Sequence, residues 1–190
     1  MSEDKHHDAA DGAALPQTRL WDGDGFATDV WRSLADEEAL PSSGAIVVSL
    51  ARWQRERHLI LAGGGCRVGV RVGPDEQIGE ERSVIDGLRL IVLLFPKFTD
   101  GRAYSTARRL REQLGFEGEL RASGDVLFDQ LPLMIRCGFG SFEITDAATI
   151  RKLERSAPPV SLASYQQRLL GRMCRSTADG GGARHLSAAE

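Results

Sequence analysis

Apolar residues along the chain fall into short unbroken runs separated by amphipathic stretches. "AIVVSL" (Ala45–Leu50), "RVGVRV" (Arg67–Val72), "LRLIVLLF" (Leu88–Phe95), "GELRAS" (Gly118–Ser123) and "SFEIT" (Ser141–Thr145) have the length and composition of strands. The third run is continuously apolar rather than alternating, which predicts a strand buried on both faces. Helical patterns lie between the runs. Ser49 is placed to cap a helix over residues 50–61. Ala103, Ala107, Leu110 and Leu114 mark one face of a helix over 101–114, and Gly115 sits where a C-terminal glycine would end it. Leu127, Leu131, Met134 and Ile135 give another such face after Asp125, closed by Gly138. "DAATIRKLERS" predicts a helix with Ala147, Ile150 and Leu153 turned inward. After Pro158 and Pro159, Leu162, Tyr165, Leu169 and Met173 mark a last amphipathic helix. Two places resist the pattern. Residues 77–88 fit a helix only loosely, and Pro132 either kinks its helix or lies in the first turn of one beginning near Asp129.

Strands alternating with helices of roughly 10–15 residues predict an α/β fold of βα units with a mainly parallel sheet. The alternation leaves two architectures open, an open layered sheet and a partial βα-barrel. A length of 190 residues suits a single domain. The polar stretch 1–18 and the small, glycine-rich stretch 176–190 read as disordered tails around a domain over 19–175. A net charge of -3 lacks the basic balance expected of a nucleic-acid partner. No run approaches the roughly 20 apolar residues of a membrane helix. The acidic N-terminus has no basic-then-apolar signal pattern, so a cytoplasmic protein is expected. Cys66, Cys137 and Cys174 lie far apart, with no CxxC and no metal-ligand spacing. No metal and no cofactor are therefore expected.

In a parallel sheet every strand delivers the chain to the same edge, where ligands bind. Three loops share that edge: "PKFTDGR" after Phe95, "ASGD" after Arg121 and "TD" after Ile144. They bring Lys97, Asp100, Arg102, Ser123, Asp125 and Asp146 together. Asp100, Asp125 and Asp146 each precede a helical pattern, where helix capping accounts for an aspartate without any ligand. Lys97 and Arg102 are different, because cations are disfavoured near a helix N-terminus unless they are paired. They predict either pairing with Asp100 or binding of an anionic ligand together with the helix N–H groups. Lys97 and Asp125 are the candidate acid/base pair. Asp125 and Asp129 share a helical stripe, which also reads as a solvated face. "AGGGCRVG" lacks the third glycine of a dinucleotide loop, Cys137 has no histidine nearby in sequence, and the histidines lie in tails or a charged helix.

The blocks "FPKFTDGRAYS" with "ARRLRE", "GFEGELRASGDVLFDQ" and "RCGF" resemble an uncharacterised bacterial family described as an oxidoreductase involved in sulfite reduction, encoded beside the assimilatory sulfite reductase hemoprotein. The likeness is close over residues 88–145, with "ARW" and "SYQ" as weaker echoes. It implies a role in sulfate assimilation and the hemoprotein as partner. It also places Lys97, Asp100, Arg102, Arg121, Asp125, Asp129 and Gln130 in the motif blocks. This chain departs at Gly140, usually acidic, at Pro132, and at Ala103, where glycine is common. The resemblance favours an accessory or partner protein of assimilatory sulfite reduction that binds a small anion at Lys97, Arg102 and Arg121. The alternative is a small enzyme, lyase- or isomerase-like or an oxidoreductase, acting on an anionic metabolite. A self-sufficient redox enzyme finds no cofactor motif in the sequence.

Overall fold

The computed structural model describes residues 18–156. The elements begin with β1 (Arg19–Trp21), β2 (Phe26–Ala27), β3 (Trp31–Ser33), β4 (Gly44–Ser49), α1 (Leu50–Ala62) and β5 (Cys66–Val72). They continue with β6 (Leu88–Phe95), α2 (Arg102–Glu112), β7 (Glu119–Gly124), α3 (Leu131–Arg136), β8 (Ser141–Ile144) and α4 (Ala147–Arg155). All five expected strands form within a residue or two. The expected tails, and the amphipathic pattern from Leu162 to Met173, lie outside the described residues. Among the described residues no helix is long and apolar enough to cross a membrane.

Local chemistry explains most helix boundaries and corrects three expectations. The Ser49 hydroxyl accepts from the Arg52 amide at 3.0 Å and opens α1. Gly115 has φ +62°, the left-handed conformation that ends a helix cheaply only at glycine. Asp146 accepts from the Thr149 amide at 2.6 Å and caps α4. In α4, however, Ala147 is exposed and Thr149 takes a buried place beside Leu153. The third helix does not start after Asp125: Leu127 is extended, and a 3-10 turn over Phe128–Gln130 leads into α3. Pro132 then stands in the first turn, where its missing N–H costs nothing. Asp125 is thus not a helix cap. Residues 77–88 hold only a 3-10 turn, Arg82–Val84, so β5 returns to β6 without an α-helix. No α-helix links β3 to β4 either, and the βα alternation is partial.

The sheet has the order β2-β1-β8-β7-β6-β5-β4-β3. Neighbours from β3 to β8 are all parallel, while β1 runs antiparallel to both β2 and β8. Because β3 to β8 are consecutive in both chain and sheet, crossovers of one hand stack the helices on one face. Val70, Ile91, Phe95 and Phe142 of that face join Trp53, Leu110 and Met134 of the helices in one buried cluster. The fully apolar β6 behaves as its pattern predicted. Leu90 and Val92 point to the opposite face and form a small second cluster with Val47.

That opposite face is concave. β2 and β3 lie at opposite ends of the strand order, yet only residues 28–30 separate them. Four residue steps reach at most ~14 Å. Seven strand spacings laid flat would span ~33 Å. The sheet must curl until its edges nearly meet, so of the two architectures the partial barrel is the one observed.

Candidate functional site

Alternation along β5, β7 and β8 puts a second set of side chains on the concave face. The ladder aligns Arg71 with Val92, Val92 with Arg121, and Arg121 with Ser141. One step towards the carboxyl edge, Ser123 aligns with Glu143, and one step back Glu119 aligns with Leu90. Period two in "ELRAS" and "SFEI" therefore places Glu119, Arg121, Ser123, Ser141 and Glu143 together inside the curl.

Arg121 is the centre of this group and is only 2% exposed. Its Nε donates to Glu119 at 3.1 Å and to the Ser141 hydroxyl at 3.3 Å, and Nη2 donates to Glu119 at 2.9 Å. Its Nη1 donates to Asp29 at 2.7 Å and reaches Glu143 at 3.4 Å. Ser123 donates to the other oxygen of Glu143 at 2.5 Å, and Ser141 donates to Glu119. Arg71 approaches Glu143 at 3.7 Å, although β5 and β8 are separated by two strands, a reach that the curl makes possible. Burial by itself would lower the Arg121 pKa, but Glu119 and Asp29 outweigh it and hold the guanidinium above its ordinary value. A buried cation persists only when paired and hydrogen-bonded, and each of these nitrogens has a partner. Asp29 comes from the segment joining the two sheet edges, and its second oxygen accepts from the Trp31 amide at 3.0 Å.

The carboxyl edge carries the rest of the predicted residues. Arg102 is paired, as one of the two expectations had it. Its Nε meets Asp100 at 3.0 Å, its Nη2 meets the same carboxylate at 2.6 Å, and Asp75 takes Nη1. The guanidinium beside Asp100 pulls the carboxyl pKa down to about 2. Asp100 also accepts from the Arg102 amide at 3.1 Å, so it holds the start of α2 although Gly101 occupies the cap position. Asp125 reaches back across the edge and accepts from the Phe98 amide at 2.8 Å. Gln130 donates to the Phe98 carbonyl at 2.7 Å, and its own Oε1 is buried without a partner among the described residues. Phe98 is thus clamped by its backbone at two points of the connection between β7 and α3, while its ring stays 50% exposed. Lys97 beside it is exposed; its carbonyl accepts from the Asp100 amide at 2.9 Å, while its ammonium has no hydrogen bond or ion pair among the described residues. Asp129 is exposed and lies 3.8 Å from Lys152.

The expected loops after β6 and β7 do converge, through Phe98. The loops after β7 and β8 meet where the Phe128 amide donates to Thr149 at 3.1 Å. Arg121 stands apart: its guanidinium belongs to the inner-face carboxylates, and that of Arg102 to Asp100 and Asp75. Glu119, Glu143, Arg71 and Phe98 were not singled out from sequence. The polar members of β7 and β8 had a signal, since charged or hydroxyl residues recur there at every second position. Asp29 had none, because its partner lies 92 residues away.

Residues 69–174, more than half of the chain, match the family model described as bacterial protein of unknown function (DUF934). No curated protein matches the chain.

Proposed function

The chain belongs to the bacterial DUF934 family of unknown function, and on that premise we propose that it is an accessory protein of assimilatory sulfite reduction that docks on the sulfite reductase hemoprotein through its carboxyl edge. The pathway and the partner come from the sequence resemblance. The docking mode rests on one observation, the clamped backbone and exposed ring of Phe98 beside the ammonium of Lys97, which has no partner among the described residues. An aromatic side chain held rigidly at the surface binds a partner without a large ordering cost. Lys97 adds a cation at its rim for an acidic group of the partner or for the sulfite it handles. Asp125, which could have served as a free acid/base group, spends its carboxylate on the clamp. The test is deletion of the gene. The strain is expected to grow poorly on sulfate as sole sulfur source and normally on sulfide or cysteine, and normal growth on sulfate overturns the proposal.

A second reading keeps a specific support. The free Lys97 stands at the edge where βα folds place their chemistry, as expected of a small lyase, isomerase or oxidoreductase acting on an anionic metabolite. Titrating sulfite, sulfate and phosphate against wild type and Lys97→Ala separates the readings. Anion binding that Lys97→Ala abolishes, in a protein with no affinity for the hemoprotein, selects the enzyme.

A further inference from the structure

We infer that Asp29 is a built-in ligand: segment 28–30 is a strap whose carboxylate occupies the place on Arg121 that a free carboxylate or another small oxyanion would take. This goes beyond the docking role, and only the choice of sulfite among the probes rests on that reading. Two of the three carboxylates around Arg121 belong to the sheet itself. Glu119 sits two residues away on the same strand and engages Nε and Nη2. Glu143 sits on the adjacent strand, 3.4 Å from Nη1 and shared with Arg71. The third carboxylate, Asp29, makes the shorter of the two contacts to Nη1, at 2.7 Å, and comes from a chain segment outside the parallel strands.

That segment is weakly held. β2 contributes two ladder positions and β3 three, and Asp29 is the group that ties the stretch between them to the centre of the sheet. Its side chain is 35% exposed, so water and a small anion reach it, whereas Arg121 behind it is sealed. The family match begins at residue 69. Arg71, Glu119, Arg121 and Glu143 fall inside the matched unit, and Asp29 falls outside it. A competing oxyanion meets the same Arg121 guanidinium and the same neighbouring carboxylates that Asp29 tolerates.

The experiment is rescue by anions in full-length protein. Asp29→Ala is melted in acetate, sulfite, sulfate or chloride at equal ionic strength, beside wild type. Acetate and sulfite are expected to raise the melting temperature of the variant well beyond that of wild type, and chloride is not. Anion affinity by calorimetry should rise about tenfold in the variant, a factor that corresponds to about 1.4 kcal/mol. If Asp29→Ala does not fold, Asp29→Asn, which keeps the shape, carries the calorimetric comparison. Adding Arg121→Lys in that background should cut the gain, which assigns it to the inner face and not to the carboxyl edge. Equal effects of all four anions, or affinity no higher than in wild type, overturns the inference and leaves Asp29 a structural latch.

Discussion

Replacing Arg121 by Met keeps an unbranched apolar stem and removes the guanidinium from the centre of the curl. Glu119, Glu143 and Asp29 then face one another, with Arg71 still 3.7 Å from Glu143. Removing one partner of a fully buried ion pair costs about 3–5 kcal/mol. Here Glu143 is 13% exposed, but Glu119 and Asp29 are 33% and 35% exposed, so water recovers part of the loss. The lower end, about 3 kcal/mol, follows. For a domain of this size that is a fall in Tm of roughly 6–12 °C. Urea denaturation of both proteins, extrapolated to water, gives the number directly. Adding Glu119→Gln to Arg121→Met should restore part of it, because one stranded charge is gone. A loss below about 1 kcal/mol, or full additivity of the two changes, would refute the view that paired charges hold the inner face.

Other outcomes follow from the same geometry. Gly124 has φ +103°, and a Cβ there would lie 2.3 Å from the Phe95 carbonyl oxygen, so Gly124→Ala is expected to cost about 3 kcal/mol or more in chemical denaturation. Asp146→Ala removes the cap on the Thr149 amide and should cost about 1 kcal/mol at neutral pH. The Asp146 pKa is lowered mainly by that amide, so its contribution is present above the ordinary aspartate range and fades as pH falls through the depressed value. Acid titration of stability should therefore be shallower in the variant. Asp100, with its carboxyl held down to about 2 by Arg102, follows the same sign: its contribution is lost between 3.8 and about 2, and Asp100→Asn should remove that part of the acid transition.

The parts of the fold visible in the sequence were those with a dense local signal. "LRLIVLLF" announced a strand covered on both sides, and the caps at Ser49 and Asp146 announced the starts of α1 and α4. β1, β2 and β3 are two or three residues long, too short for a period to register, and only the curled sheet gives them partners. The choice between open sheet and barrel hung on the three residues between β2 and β3, which carry no pattern of their own. At the site, Lys97, Asp100 and Arg102 follow the end of β6, a position that strand direction alone makes legible. Arg121 was legible as a charged residue in a strand, but its grouping with Lys97 and Arg102 ignored the face on which it stands. Asp125 and Gln130 looked like helix residues because the pattern around Leu131 extended back over them. Their tertiary role on Phe98 depends on a loop some thirty residues earlier.

The docking proposal turns on Phe98, and binding of purified full-length protein to the sulfite reductase hemoprotein tests it most directly. Wild type should bind, and Phe98→Ala should bind about 30-fold more weakly, as truncation of a central aromatic costs about 2 kcal/mol, with its melting temperature unchanged. Wild type that does not bind the hemoprotein, or Phe98→Ala that binds it as tightly as wild type, would contradict the account.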